Sequence, residues 1–324
     1  MIKNEVLCIL KKNEGYVSGE SISRMLNISR MSVSNAVKSL IVDGYVISAS
    51  TKKGYKLEKS PNLISIGELS TYLDSDTMQN VIYLEEVSST NDYLKNLASN
   101  GAKEGTVVIA NRQTAGKGRL GRNFYSPENV GIYMSYLYRP TATLSELSSI
   151  TSRVAIAVCQ TIQNTCGVEC KIKWVNDLLI NDKKVCGILT ELSVVGETLY
   201  ADYVVVGIGI NVNNPKSDFN GELRDKATSI KLESGREHSR SKLVAEIIKN
   251  LKVLFKFSMD KCLSEYRKLL VNTNREAMFD YQGKQTIGLV LGIDDDFSLL
   301  VKVDDKTIKL SSGVVSIRGR KGYL

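Results

Sequence analysis

The sequence predicts an α+β protein in three segments, and three observations carry that reading. Residues 1–62 alternate helix signals with one short hairpin; residues 63–272 mix strand runs with amphipathic helices; residues 273–324 are short strands separated by turns. At 324 residues and 43% hydrophobic content the chain can bury a sizeable core and divides naturally into two or three domains.

In the first segment Ile2 to Lys12 reads as an amphipathic helix. Ser18 caps a second helix, SGESISRMLN, and Ser29 caps a third, RMSVSNAVKSLIVDG, which Gly44 ends. Val33, Val37, Leu40 and Ile41 fall on one stripe, expected to be buried. The opposite face carries Ser29, Arg30, Ser32, Ser34, Asn35 and Lys38, groups suited to phosphates and base edges. YVISAS, a turn at Thr51 to Gly54, and YKL make a two-stranded ribbon with Lys52 and Lys53 at its tip. Helix, helix-turn-helix, hairpin is the winged helix-turn-helix order. Ten cations stand against five carboxylates in residues 1–60, so most of the chain's net +8 lies there. Operator DNA is the expected partner; a protein-binding winged helix shows the same pattern.

The second segment opens on a Pro-containing linker, SPNLISIGELSTYLD. VIYLEEV, TVVIANRQ and GIYMSYLYRP read as strands, and TNDYLKNLASN as a helix capped by Ser88 or Ser89 and ended by Gly101. Leu144 to Thr165 reads as a long helix. KIKWVNDLLI and KVCGILTEL form a hairpin about Asn181-Asp182-Lys183, TLYADYVVVGIGINV gives two more strands around Asp202, and Ser239 to Leu270 is helical. The tail, with TIGLVLGI, SLLVKVDD, KTIKLSSG and VVSIRG, predicts a small SH3-like β-barrel.

Composition removes several function classes. No apolar run approaches the ~18 residues of a membrane span, and the charged start, MIKNEVLCILKKNEG, is no signal peptide. Cys8, Cys159, Cys166, Cys170, Cys186 and Cys262 contain no C-x-x-C pair, and with one histidine, His238, they make a poor metal site. Reduced thiols in a cytoplasmic protein are expected.

One loop stands out. GKGRLGRNFYSP, from Gly116 to Pro127, satisfies G-x-G-x-x-G, yet Lys117, Arg119 and Arg122 sit among the glycines. A dinucleotide turn needs a helix directly after the glycines, and Pro127 and Gly131 forbid a long one. Nor is it a G-x-x-x-x-G-K-[ST] loop. Mobile amides with guanidinium and ammonium groups suit a ligand with several anionic oxygens, and a glycine-rich loop of this kind is expected to order only on binding.

The Ser88-Ser89-Thr90-Asn91 cluster, GKGRLGR, KWVNDLLINDKKVCGIL and GIGINV, in that order, resemble the biotin protein ligase family. With the N-terminal winged helix, the chain looks like the bifunctional members that are both ligase and biotin-operon repressor. Lys117 stands where the family has an arginine, Val175 where it has a proline, and Phe124 where it often has a tryptophan. The resemblance implies a class II synthetase-like mixed sheet in the central domain, biotin and ATP as substrates with Mg²⁺ on the phosphates, and no dedicated protein metal site. Partners would be a biotin carboxyl-carrier domain, such as that of acetyl-CoA carboxylase, and operator DNA, with homodimers when biotinyl-AMP is bound.

It further implies biotin contacts from Ser89, Thr90, Asn91, Gln113, Lys117, Gly118, Arg119, Lys184 and Gly187. Nucleotide contacts come from Arg122, Phe124, Asn176 and Asn211, and Arg119 and Lys184 carry the chemistry. Capping is an equal explanation for Ser89, an exposed turn for Lys184, and simple core packing for Trp174. A lipoate ligase would show an R-R-x-x-G-G-x-V-x-H stretch, which is absent. A ligand-sensing regulator without catalysis would not need the cationic loop.

Overall fold

The computed structural model describes residues 2–140, 148–194, 201–311 and 318–319. They form two compact units, the first built from residues 1–83 and 239–245, the second from 84–238 and 246–324.

In the first unit α1 (Ile2–Lys12), α2 (Gly19–Leu26) and α3 (Arg30–Val42) precede a hairpin of β1 (Val46–Ser50) and β2 (Gly54–Lys59). Ser18 accepts from the Ser21 amide and Ser29 from the Ser32 amide, so both predicted caps exist. The core gathers Val6, Leu7, Leu10, Ile22, Val33, Val37 and Leu40. Ile41 departs from expectation: it is 48% exposed, and Ala36 takes its place on the buried stripe. Tyr55 exchanges backbone hydrogen bonds with Val17 (2.8 and 2.9 Å), a third rung beside the hairpin. That rung needs Gly54, whose φ is +99° and whose β-carbon would lie 2.1 Å from the Val17 carbonyl oxygen.

The linker is not bare coil. It folds into α4 (Ile66–Leu69) and α5 (Ser75–Met78). Glu68 of α4 is buried and accepts from Tyr45 Oη at 2.7 Å and from Lys11 Nζ. Burial and this carboxylate raise the Tyr45 pKa. Residues 62–63 are held by the buried Arg240 and by Ser241, which donate to the carbonyls of Asn62 and Leu63.

The second unit is built on a seven-stranded sheet. Its elements, from the strand that spans the division between units, are β3 (Val81–Val87), α6 (Thr90–Ser99), β4 (Val107–Gln113), β5 (Ile132–Tyr138), α7 (Ser148–Cys166), β6 (Lys171–Lys173), β7 (Asp177–Ile180), β8 (Lys183–Val194) and β9 (Ala201–Ile210). The order is β3-β4-β5-β9-β8-β7-β6, and from β4 onward all neighbours are antiparallel. Asn181 and Asp182 both have positive φ (48° and 61°), the geometry of a two-residue turn between β7 and β8. Ala201–Ile210 is one strand that includes Asp202; the residues expected to open a strand before it, 198–200, lie outside the described residues. One expectation is corrected. The helix over 239–270 is split: after α8 (Ile230–Ser234) come α9 (Arg240–Leu254) and α10 (Met259–Leu269), the latter capped by Ser258. The helix start expected at Leu144 lies outside the described residues.

The chain ends in β10 (Glu276–Tyr281), β11 (Lys284–Ile293), β12 (Leu299–Val303), β13 (Lys306–Leu310) and β14 (Arg318–Gly319), ordered β13-β12-β11-β10-β14 and antiparallel throughout. The sequence reading missed β10, although Ala277 and Phe279 alternate as a half-buried strand requires; the strand expected over 314–317 lies outside the described residues. Trp174 ties this sheet to the central one. Its amide donates to Asn272 Oδ1 (2.7 Å) and its indole to the Phe297 carbonyl (2.8 Å).

Gly54→Ala places a methyl group against a backbone oxygen and forces a left-handed φ on alanine. It should lower the first unit's stability by about 2 kcal/mol, read as faster amide hydrogen exchange at Val17 and Tyr55. Unaltered exchange there would show that the rung does not depend on the glycine.

Candidate functional site

Sheet strands β5, β9 and β8, the start of α6 and the cationic loop enclose a cleft. Three glycines leave part of its floor bare. Gly187 and Gly209 are register partners across β8 and β9, and Gly207 pairs with Ser135 of β5. A β-carbon on Gly207 would lie 2.4 Å from Asn91 Oδ1, and one on Gly209 would lie 2.6 Å from the Phe124 ring. The floor is bare because the residues above it rest directly on backbone.

One wall is polar. Ser89 caps α6 by accepting from the Asp92 amide, so the capping reading is right, and Ser89, Thr90 and Asn91 are buried lining residues as well. The Thr90 amide and hydroxyl both donate to Gln113 Oε1 (2.9 and 3.1 Å), whose Nε2 donates to Ser126 (3.0 Å). Asn91 Nδ2 donates to Glu191 Oε2 (2.7 Å) and to the Leu189 carbonyl (3.3 Å). The Ser135 hydroxyl lies 2.6 Å from Asn91 Oδ1 and 2.8 Å from Thr90 Oγ1. The unspent capacity is then a hydroxyl proton on Ser89 and an amide proton on Gln113, beside acceptor lone pairs on Thr90 and Asn91. Two donors beside acceptors match a carbonyl flanked by N–H groups, the pattern of a cyclic urea.

The other end is cationic. The backbone of the loop, which is expected to order when an anion binds, closes a small hairpin. Phe124 N donates to the Gly116 carbonyl (2.9 Å) and Gly118 N to that of Arg122 (2.7 Å), with exposed Leu120 in a left-handed turn at the tip (φ 57°). Lys117 Nζ stands 2.6 Å from Asp92 Oδ2. Burial pushes the Asp92 pKa up, but hydrogen bonds from Lys117 and Lys95 outweigh it and hold the carboxyl below its ordinary value. Arg119 donates to Asn176 Oδ1 at 3.3 Å, and Asn176 Nδ2 is fixed on the Ile188 carbonyl at 2.8 Å. Burial lowers the Arg119 pKa, partly offset by Asp177. Such a desolvated cation gains much from an anionic oxygen. Lys184 is no loose turn residue. A bulge at Val185 turns it to the face of Gly187, where Nζ lies 2.6 Å from Asp177 Oδ1.

Two expected residues are not on this cleft. The exposed Arg122 gives the loop its carbonyl, and the Asn211 side chain donates to the Thr228 carbonyl (3.0 Å), which shapes a turn. Ser135, Glu191 and Asp92 were missed. Strand parity could have found two of them, since Glu191 is four residues beyond Gly187 on one strand face and Ser135 faces Gly207 across the ladder. His238 is buried; it bonds to Ser234 and Asn213, and desolvation lowers its pKa, so it is structural. Burial raises the Cys186 thiol far above its ordinary value, which makes it a poor nucleophile.

In the first unit Ser29, Arg30, Asn35 and Lys38 are exposed along α3, with Ser32 and Ser34 half-buried, and Lys52 and Lys53 project from the hairpin tip. Arg30 and Arg24 both pair with Glu20 (3.1 and 3.4 Å) on this solvated face.

A sequence profile of the biotin/lipoate A/B protein ligase family matches residues 83–211, and one of a helix-turn-helix domain matches residues 3–56. The bifunctional ligase/repressor BirA of Bacillus spizizenii is 37% identical over 93% of this chain and 94% of its own length. The chain belongs to the biotin protein ligase family. The Escherichia coli bifunctional ligase/repressor BirA is 27% identical over 96% of both chains. The Aquifex aeolicus biotin protein ligase solved with biotin and ATP superposes with a TM-score of 0.64, at 28% identity over 74% of this chain and 99% of that one. The family's cationic loop, glycine strands and lysine hairpin are thus the parts that meet at this cleft.

Gly207→Ala should destabilise the protein by about 1–3 kcal/mol, because Asn91 must leave its buried bonds. Gly187→Ala meets only the flexible end of Lys184, at 3.1 Å, and the Phe124 ring edge, and should cost less than ~1 kcal/mol. Equal denaturant midpoints for the two variants would contradict this account of the floor.

Proposed function

We propose that this chain is an ATP-dependent biotin protein ligase and a biotin-dependent repressor. The cleft joins biotin and ATP as biotinyl-5′-AMP and passes biotin to a lysine of a carboxyl-carrier domain such as that of acetyl-CoA carboxylase. The observation that carries the reading is the union, in one cleft, of a urea-matching polar wall and an end bearing Lys117, Arg119 and Lys184.

The ureido ring sits against Ser89, Thr90, Asn91 and Gln113, which directs the valeryl carboxylate toward the cations. A carboxylate oxygen attacks the α-phosphorus of ATP. The bond to the bridging oxygen breaks, and pyrophosphate leaves. Two anions repel as they approach; Arg119, Lys117 and Lys184 offset that repulsion and stabilise the charge that develops. The carrier's deprotonated lysine amine then attacks the acyl carbon, forming the amide and releasing AMP. Neither step uses a covalent protein residue, in keeping with the burial of His238 and of Cys159, Cys166, Cys170, Cys186 and Cys262. Phe124 over Gly187 and Gly209 offers a ring face to the adenine. Mg²⁺ would travel on the phosphate oxygens, since Asp177, beside the cleft, already holds Lys184.

The basic face of α3 and the hairpin tip suit an operator, with α3 in the major groove and Lys52 and Lys53 on phosphates. Two copies pair when biotinyl-AMP is bound, and the paired helices meet the two halves of a palindrome. The work belongs in the cytoplasm, where carrier and operator are.

Lys184→Ala should lower biotin-dependent pyrophosphate exchange by about 10²-fold or more; an unchanged rate removes Lys184 from the chemistry. Arg119→Gly should speed biotinyl-AMP release while the unfolding midpoint holds, checked by chasing labelled intermediate. Footprinting of the biotin operator should show protection that requires biotin and ATP together, and equal protection without them would refute biotin-dependent repression.

A further inference from the structure

Both amide protons of Asn91 are spent behind the cleft, on the Leu189 carbonyl and Glu191 Oε2. What Asn91 turns to the cleft is therefore its carbonyl oxygen, lying over Gly207. That orientation is not intrinsic to an amide, which can flip about its last torsion. Something must decide it, and behind the cleft stand the Leu189 carbonyl, at 3.3 Å, and the nearer Glu191 carboxylate, at 2.7 Å, both of which only accept.

We propose that Glu191 is a positioning residue for biotin: it fixes the polarity of Asn91, so that an acceptor meets a ureido N–H. The inference rests on the biotin reading above. Each oxygen of Glu191 has one partner. Oε2 takes Asn91, and Oε1 takes Lys95 Nζ at 2.8 Å, which also bonds Asp92 Oδ1 at 2.9 Å. Glu191→Gln keeps the shape but leaves one oxygen for two donors. The ammonium claims it, because charge-assisted bonds are the stronger. The new amide then points its N–H groups at Asn91, which answers by flipping. Its own N–H groups enter the cleft, where they oppose the ureido N–H.

Glu191→Gln should raise KM for biotin about 10-fold or more in pyrophosphate exchange, the scale of a mismatched buried hydrogen bond. The kcat at saturating biotin should stay within about twofold of wild type, as expected when ground-state and transition-state binding fall together. Adding Lys95→Met removes the competing ammonium and should return KM toward the wild-type value, which general loosening of the fold would not do. The double variant also carries the test alone if Glu191→Gln does not fold. An unchanged KM in the single variant, or a double variant with KM as high as the single's, overturns the proposal. Absence of biotin-dependent exchange in the wild-type protein would instead overturn the biotin reading itself.

Discussion

The contact between bare backbone and the groups laid upon it is the constraint on which the rest depends. Gly187, Gly207 and Gly209 form a patch of sheet with no side chains, and Asn91, Phe124 and Lys184 come down onto it. Each glycine weakens its strand, because it adds entropy to the unfolded chain and contributes no packing. Here the loss is offset by the polar chain that the bare floor admits: Gln113, Thr90, Ser135 and Asn91, bonded in sequence. A side chain at Gly207 would not merely fill space. It would break the arrangement that holds these polar groups in place.

The same floor explains why the loop needs so many internal bonds. A ring must lie on Gly209, and Phe124 can do so only if the chain turns back tightly after Gly116. The hydrogen bonds from the Phe124 amide to the Gly116 carbonyl and from the Gly118 amide to the Arg122 carbonyl impose that turn. Gly116 itself cannot carry a β-carbon, which would lie 2.4 Å from the Phe124 carbonyl oxygen. Glycine in this loop therefore serves close approach as well as flexibility.

Much of the fold was legible because its signals are local. Ser18, Ser29 and Ser89 cap as read, and the Asn181-Asp182 turn could be placed from its residues alone. The split after Leu254 and the exposure of Ile41 were not legible, since each depends on what packs against a helix from afar. At the cleft the lining residues matching the family motifs were legible, whereas Ser135 and Glu191 lie in no motif. Arg122 is a different case: its charge and its place in the loop mark it as a ligand contact, while in the structure its carbonyl closes the loop and its guanidinium is exposed.

Charge pairing decides how such a cationic cleft coexists with a stable fold. Lys117 and Lys184 each lie 2.6 Å from a carboxylate, Asp92 and Asp177. These pairs are partly exposed, so each adds little to stability. Their effect is positional: they hold two long, flexible side chains within reach of one point and remove ordering entropy before any anion competes. Phosphate or carboxylate oxygens must then outbid an aspartate, and they do so best where a third cation helps. Arg119 is placed to be that third cation. Its guanidinium donates to the neutral oxygen of Asn176, and Asp177 offsets part of the effect of its burial. An anion arriving between the three meets at Arg119 a cation whose charged form burial disfavours.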